Sequence, residues 1–193
     1  MLIGFIGPAI SGKTTTAAKL FAGLKDDGYV AEFLPEQARA YIAHLRFRMG
    51  PDFKLELNDG DQKSILFEQY MSEKVFTNSL PPRSIVITDC AAFLALLYMT
   101  DAGRADPKTL AKARASAARF DLLFRCHPVR PGDLYDPNRV HSFEQSQALD
   151  AQLVDVLNLA QVDPSKVVEL AGPSYVRASA ARNELTERLL CHR

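Results

Sequence analysis

Along the chain, short unbroken apolar runs alternate with longer stretches in which apolar residues recur every three or four positions. The largely apolar runs at 2–7, 29–34, 84–89, 120–126 and 166–170 have the length of strands. Helical patterns at 14–25, 36–49, 62–78, 91–100, 107–118, 142–161 and 174–190 stand between and after them. This alternation predicts an α/β fold, a parallel five-stranded sheet flanked by helices. Asp26-Asp27-Gly28 and Gly50-Pro51 stop the first two helices. Two stretches, 51–60 and 127–141, carry Pro, Gly, Asn and Asp and read as loops. No repeat or low-complexity segment interrupts the pattern, so one domain over 1–193 is expected.

The first strand runs into Gly7-Pro8-Ala9-Ile10-Ser11-Gly12-Lys13-Thr14-Thr15, which matches the phosphate-loop pattern GxxxxGK[ST] between a strand and a helix. Glycines at both ends allow successive backbone N–H groups to turn inward, forming an anion nest at a helix N-terminus. Lys13 supplies a charge for the β- and γ-phosphates, Thr14 a hydroxyl for Mg²⁺, and Thr15 a hydroxyl within reach of the α-phosphate. The third run ends in Asp89, the form of a carboxylate that anchors the metal beside Thr14. Asp is equally suited to cap a helix starting at Ala91.

After the second strand, Glu36 and Arg39 stand three residues apart at a helix start, at the edge where substrates of such sheets lie. Glu36 has the chemistry to accept a proton from an attacking hydroxyl, and Arg39 to orient an acceptor. Ordinary helix-start chemistry would also favour this pair. Arg125, Arg130 and Arg139 fall in or just before the 127–141 loop, the makeup of a lid that neutralises transferred phosphate.

Charge narrows the field: 23 basic residues balance 23 acidic ones, so no overall field draws the chain onto a polyanion. The longest apolar run, 91–99, is nine residues, about half of the roughly 20 a membrane-spanning helix needs. A soluble, cytoplasmic protein is the expectation. Three cysteines without a CxxC pair favour reduced thiols over a disulfide framework or zinc.

GPAISGKTT, LPEQARAYI after the second strand, Gln62 in a later helix, an apolar strand ending in TD and AGPSYVR after the last strand together resemble the small phosphate-loop kinases of the AAA_28 type. That family includes the nicotinamide riboside kinase domain, and phage nucleotide and modified-DNA-base (5-hydroxymethyluracil) kinases look similar. The resemblance implies a sheet order of 2-3-1-4-5. It implies ATP with Mg²⁺, transfer of the γ-phosphoryl group to a hydroxyl of a nucleoside-like or nucleotide-like acceptor, and a host-cytoplasm location if phage-encoded. Lys13, Glu36, Asp89 and Arg130 would be catalytic, with Glu36 or Asp89 as base. Glu36, Arg39, Gln62, Arg125 and Arg139 would face the acceptor, and Gly172 with Arg177 would lie near the adenine. One position departs, since Cys90 follows Asp89 where the riboside kinases carry an acidic residue, which speaks against nicotinamide riboside itself. DNA bearing a hydroxymethylated base stays open as acceptor, and so does a regulatory ATPase that binds a protein partner.

Overall fold

The computed structural model describes residues 1–50, 56–129 and 142–191. Strands β1 (Leu2–Ile6), β2 (Ala31–Leu34), β3 (Ile85–Thr88), β4 (Leu122–Cys126) and β5 (Val167–Leu170) form one parallel sheet in the order β2-β3-β1-β4-β5, as expected. Ile3 of the central strand pairs with Ile87 on one side and Leu122 on the other. All five carboxyl ends therefore share one edge, and the order reverses at β1, where ligands of such sheets collect.

The period-two pattern of β1 divides the core in two. Leu2 and Ile6 join a cluster with α3 (Asp59–Ser79), α4 (Pro107–Arg119) and α5 (Phe143–Leu159). Ile3 and Phe5 face the opposite layer, built by α1 (Lys13–Asp26) and α6 (Ser174–Cys191). Gly4 lies between these positions because a β-carbon there would stand 2.6 Å from Phe120 Cε1; without one, the ring packs flat on the strand. Each fully buried Leu, Ile or Phe contributes about 1.5–3 kcal/mol, so the two layers dominate stability. The remaining helix, α2 (Gln37–Met49), buries no residue at all.

Two expectations change. The apolar segment 91–100 is a 3-10 helix over Ala92–Tyr98. Its residues Ala92–Leu97 are all buried, so no polar face existed to report the helix period. Residues 59–60 belong to α3 rather than to a loop: the Asn58 side chain accepts from Asp61 N–H, and the Asp61 carboxylate accepts from Asn58 N–H. The Asn58 that suggested a turn is the N-cap of a capping box closed by Asp61, and Asp59 and Gly60 are in the first turn of the helix. The lid residues Arg130 and Arg139 lie outside the described residues.

Candidate active site

The chain leaves β1 at Gly7, whose φ is +140° and whose β-carbon would fall 2.2 Å from the Cys126 carbonyl oxygen. No residue with a side chain fits there, so the loop starts pressed against β4. From Pro8 to Gly12 the carbonyls Pro8, Ile10, Ser11 and Gly12 are each bound within the protein. Pro8 O accepts from Ser11 Oγ (2.8 Å) and Lys13 Nζ (2.7 Å). Ile10 O accepts from Val129 N–H (3.1 Å), Ser11 O from Arg177 Nη1 (2.6 Å) and Gly12 O from Thr16 N–H (3.0 Å). A trans peptide points its N–H opposite to its carbonyl. Tying the Ile10 and Ser11 carbonyls into the protein therefore turns the amides of Ser11 and Gly12 the other way. Gly12 takes the left-handed conformation (φ +74°), and α1 begins with neither a side-chain cap nor an acidic residue in its first turn. The helix thus presents uncompensated N–H groups and the positive end of its dipole.

Thr14 Oγ1 donates to Asp89 Oδ2 at 2.6 Å, which brings the two expected metal anchors together. Asp89 is 2 % exposed and its other oxygen, Oδ1, is buried with no partner among the described residues. A buried carboxylate oxygen with no donor is costly, and a hard cation is the partner its chemistry fits. No group of three His, Cys, Asp or Glu side chains capable of holding a metal is present among the described residues. Mg²⁺ suits this sparse set because it is usually bound through one or two carboxylates and the phosphates of its nucleotide. Asp89 does not cap the 3-10 helix: Ala92 N–H donates instead to Glu73 Oε1 (2.7 Å). Thr15 is exposed at the start of α1.

Next to Asp89 in the chain, Cys90 lines a small pocket together with Glu36, Gln62, Gln69, Ala92 and Tyr98. Glu36 occupies the position just before α2, and its Oε2 accepts from Arg39 Nε at 3.3 Å. The Arg39 side chain is 70 % exposed, so this pair is held weakly. Gln62 is buried in the pocket wall. Burial keeps the Cys90 thiol protonated, so the position after Asp89 presents a small neutral group. The Tyr98 hydroxyl hydrogen-bonds the main chain of Ala9, and burial pushes its phenol up. Tyr98 thereby connects the pocket to the phosphate loop.

Gln69 was not foreseen. Its Oε1 accepts from Gln37 N–H (2.8 Å) and its Nε2 donates to Thr88 Oγ1 (3.2 Å). One buried amide thus fastens the start of α2, and Glu36 with it, to the end of β3. Glu73 was missed too; its Oε2 accepts from Ser116 Oγ (2.7 Å), and burial raises its pKa to about 7 against the pull of Ser116, Ala92 and Arg119. The signal was available: Gln62, Gln69 and Glu73 share the core-facing side of α3 with Ile65 and Leu66, where polar residues need a reason.

Arg125 is engaged elsewhere. It pairs with Asp150 (3.4 Å) and Glu169 (3.3 Å), and the two ring nitrogens of His127 reach the same carboxylates at 2.7 and 2.8 Å. Between β2, which leads to Glu36, and β4, which carries Arg125, stand β3 and β1, so three strand spacings of about 4.8 Å separate them. Gly172, at φ +86°, forms the turn between β5 and α6. Arg177 lies beneath the phosphate loop, bonded to the Ser11 and His127 carbonyls.

Among solved structures, a NadR protein in complex with NR has 23 % identity and a TM-score of 0.71, covering 96 % of this chain and 50 % of that one. A NadR protein in complex with NAD and AMP-PNP has 22 % identity and a TM-score of 0.64, covering 96 % and 48 %. The chain spans about half the length of these NadR chains and shares their fold. No curated protein matches it. No helix among the described residues is long and apolar enough to cross a membrane. The family model for the AAA domain AAA_28 matches residues 2–172, and the chain belongs to that family.

Proposed function

We propose that this protein is a kinase that binds ATP with Mg²⁺ and transfers the γ-phosphoryl group to a hydroxyl of a nucleoside-like or nucleotide-like acceptor. One observation carries the reading: Asp89, paired with Thr14 and with one carboxylate oxygen unpartnered among the described residues, directly precedes Cys90, and Cys90 lines a pocket that Glu36 also lines. A nucleotide switch has no need of such a pocket; a simple ATPase would use Glu36 to activate water, and turnover without any acceptor tells it from a kinase. The NadR protein solved with NAD and AMP-PNP, an ATP analogue beside a nucleotide, supports the same reading.

In this reading the loop amides and Lys13 hold the β- and γ-phosphates, and Thr14 and Asp89 hold the metal. The metal, when bound, supplies neutralisation of charge on the phosphate oxygens. Glu36 takes the proton of the acceptor hydroxyl as its oxygen bonds to the γ-phosphorus, and ADP leaves with the bridging oxygen. Asp89 is a poorer base, because burial and Thr14 commit it to the phosphate side. Gln62 and Tyr98 line the acceptor, with the neutral Cys90 below.

The test is transfer of label from γ-labelled ATP to a panel of nucleosides, nucleotides and DNA carrying hydroxymethylated bases. Label on a free nucleoside or nucleotide is expected. Label on DNA alone would move the acceptor into the polymer, and phosphate release independent of every acceptor would replace the kinase by an ATPase.

A further inference from the structure

Arg177 is 4 % exposed, yet no carboxylate pairs with it among the described residues. Its Nη1 donates to Ser11 O (2.6 Å) and its Nη2 to His127 O (3.2 Å), while Nε is buried without a partner. The neighbouring Cys126 thiol is held protonated by burial and supplies no counter-charge. Asp150 and Glu169, beside the end of β4, are shared by Arg125 and His127. An isolated guanidinium in such a place is expensive unless something of opposite charge completes it. A β-carbon on Gly12 would stand 4.0 Å from Nη1, so the charge lies directly behind the nest of amides. At that depth, solvent and salt screen it little.

We propose that Arg177 is a buried positioning residue of the phosphate site, a cation behind the loop that complements Lys13 in front and whose counter-charge is the bound polyphosphate. It rests on the reading that the loop takes a nucleoside triphosphate. Arg177 acts through the loop in two ways. Its bond to Ser11 O holds the Gly12 amide facing the ligand, and its charge raises the potential that amide presents. Its bond to His127 O ties the same loop to the residue that follows β4.

Binding of AMP, ADP and a non-hydrolysable ATP analogue with Mg²⁺ is measured by calorimetry on the wild type, Arg177→Gln and Arg177→Lys. Gln keeps an N–H donor for the carbonyls without the charge, and Lys keeps both. The expected result is a loss in Arg177→Gln that grows with phosphate count, to roughly tenfold or more for the triphosphate, with most of it recovered in Arg177→Lys. Equal affinities in wild type and Arg177→Gln, a loss that is the same for all three nucleotides, or a Lys variant no better than Gln would each overturn the proposal. So would variants that fail to fold, which would make Arg177 a structural brace. Failure of the wild type to bind any nucleotide would remove the kinase reading as well, which separates the two.

Discussion

The phosphate corner and the acceptor corner stand on the same sheet edge but are held by different physics. Helix α1, which carries the phosphate loop, buries Thr16, Ala17, Leu20 and Leu24, and its two leucines alone contribute about 3–6 kcal/mol. Helix α2, which carries Glu36 and Arg39, buries nothing and is fastened by point contacts: Gln69 at its start and the Tyr41–Asp61 hydrogen bond (2.7 Å) along its length. Apolar burial is non-directional and durable, whereas hydrogen bonds of about 0.5–1.5 kcal/mol each can be rearranged. The nucleotide half is therefore fixed before any ligand arrives, and the acceptor half is the one an acceptor can adjust. Polyphosphate geometry is common to many enzymes; acceptors differ.

This contrast can be broken in several ways. Lys13→Ala should lower kcat/KM by a hundredfold or more, on the order expected for removing one charge-stabilising donor, while the melting temperature holds. A variant that transfers normally would dissolve the distinction between the two corners. Glu36→Gln should lower turnover by about a hundredfold with ATP affinity within about twofold, because a base acts only in the transition state. Equal losses in both constants would place Glu36 on the nucleotide side. Gln69→Leu leaves Gln37 N–H without its acceptor, and it should raise the KM for the acceptor by about tenfold while leaving ATP binding alone. A matching change in ATP affinity would mean that α2 and the phosphate loop move as one.

The smallest effect concerns Glu73, beneath the acceptor pocket. Its folded pKa, about 7, is raised from 4.5 by desolvation, so the folded state holds its proton where the unfolded state has lost it. Stability from this group is full below about pH 4.5 and is lost as pH rises through about 7. Glu73→Gln keeps an oxygen for Ala92 N–H, so it should flatten that slope and exceed the wild type by on the order of 1–3 kcal/mol at pH 8. Melting curves from pH 5 to 8 check it; parallel curves would mean that Glu73 is ionised throughout.

Local features decided what could be read from the chain. The loop from Gly7 to Thr15 was legible because a polyphosphate cradle needs particular residues at contiguous positions. Strands β1 and β3 were legible because burial on both faces leaves unbroken apolar runs, whereas the partly buried β2 and β5, interrupted by Glu32 and Glu169, were legible from their place between helical patterns. Asp89 was legible as the partner of Thr14 from an apolar run ending in a carboxylate, and the family resemblance added that its strand adjoins β1. Gln69, Tyr98 and the place of Arg177 were not legible. Each acts through partners distant along the chain: Gln37 and Thr88 for Gln69, Ala9 for Tyr98, Ser11 and His127 for Arg177. A polar residue on the core face of α3 marked Gln69 as unusual, but no local pattern names the partners. The winding of 92–98 was hidden for the opposite reason, since a segment buried on every side carries no period.

That winding acts as a ruler. Seven residues in a 3-10 helix span about 14 Å, against about 10.5 Å in an α-helix. The extra 3.5 Å or so lengthens the rod between Ala92, whose N–H is held by Glu73, and Tyr98, whose hydroxyl meets Ala9 of the phosphate loop. Deleting a single alanine from this rod would shorten it by about 2 Å and rotate Tyr98 by about a third of a turn, taking the phenol off Ala9 with no substitution in the phosphate loop itself.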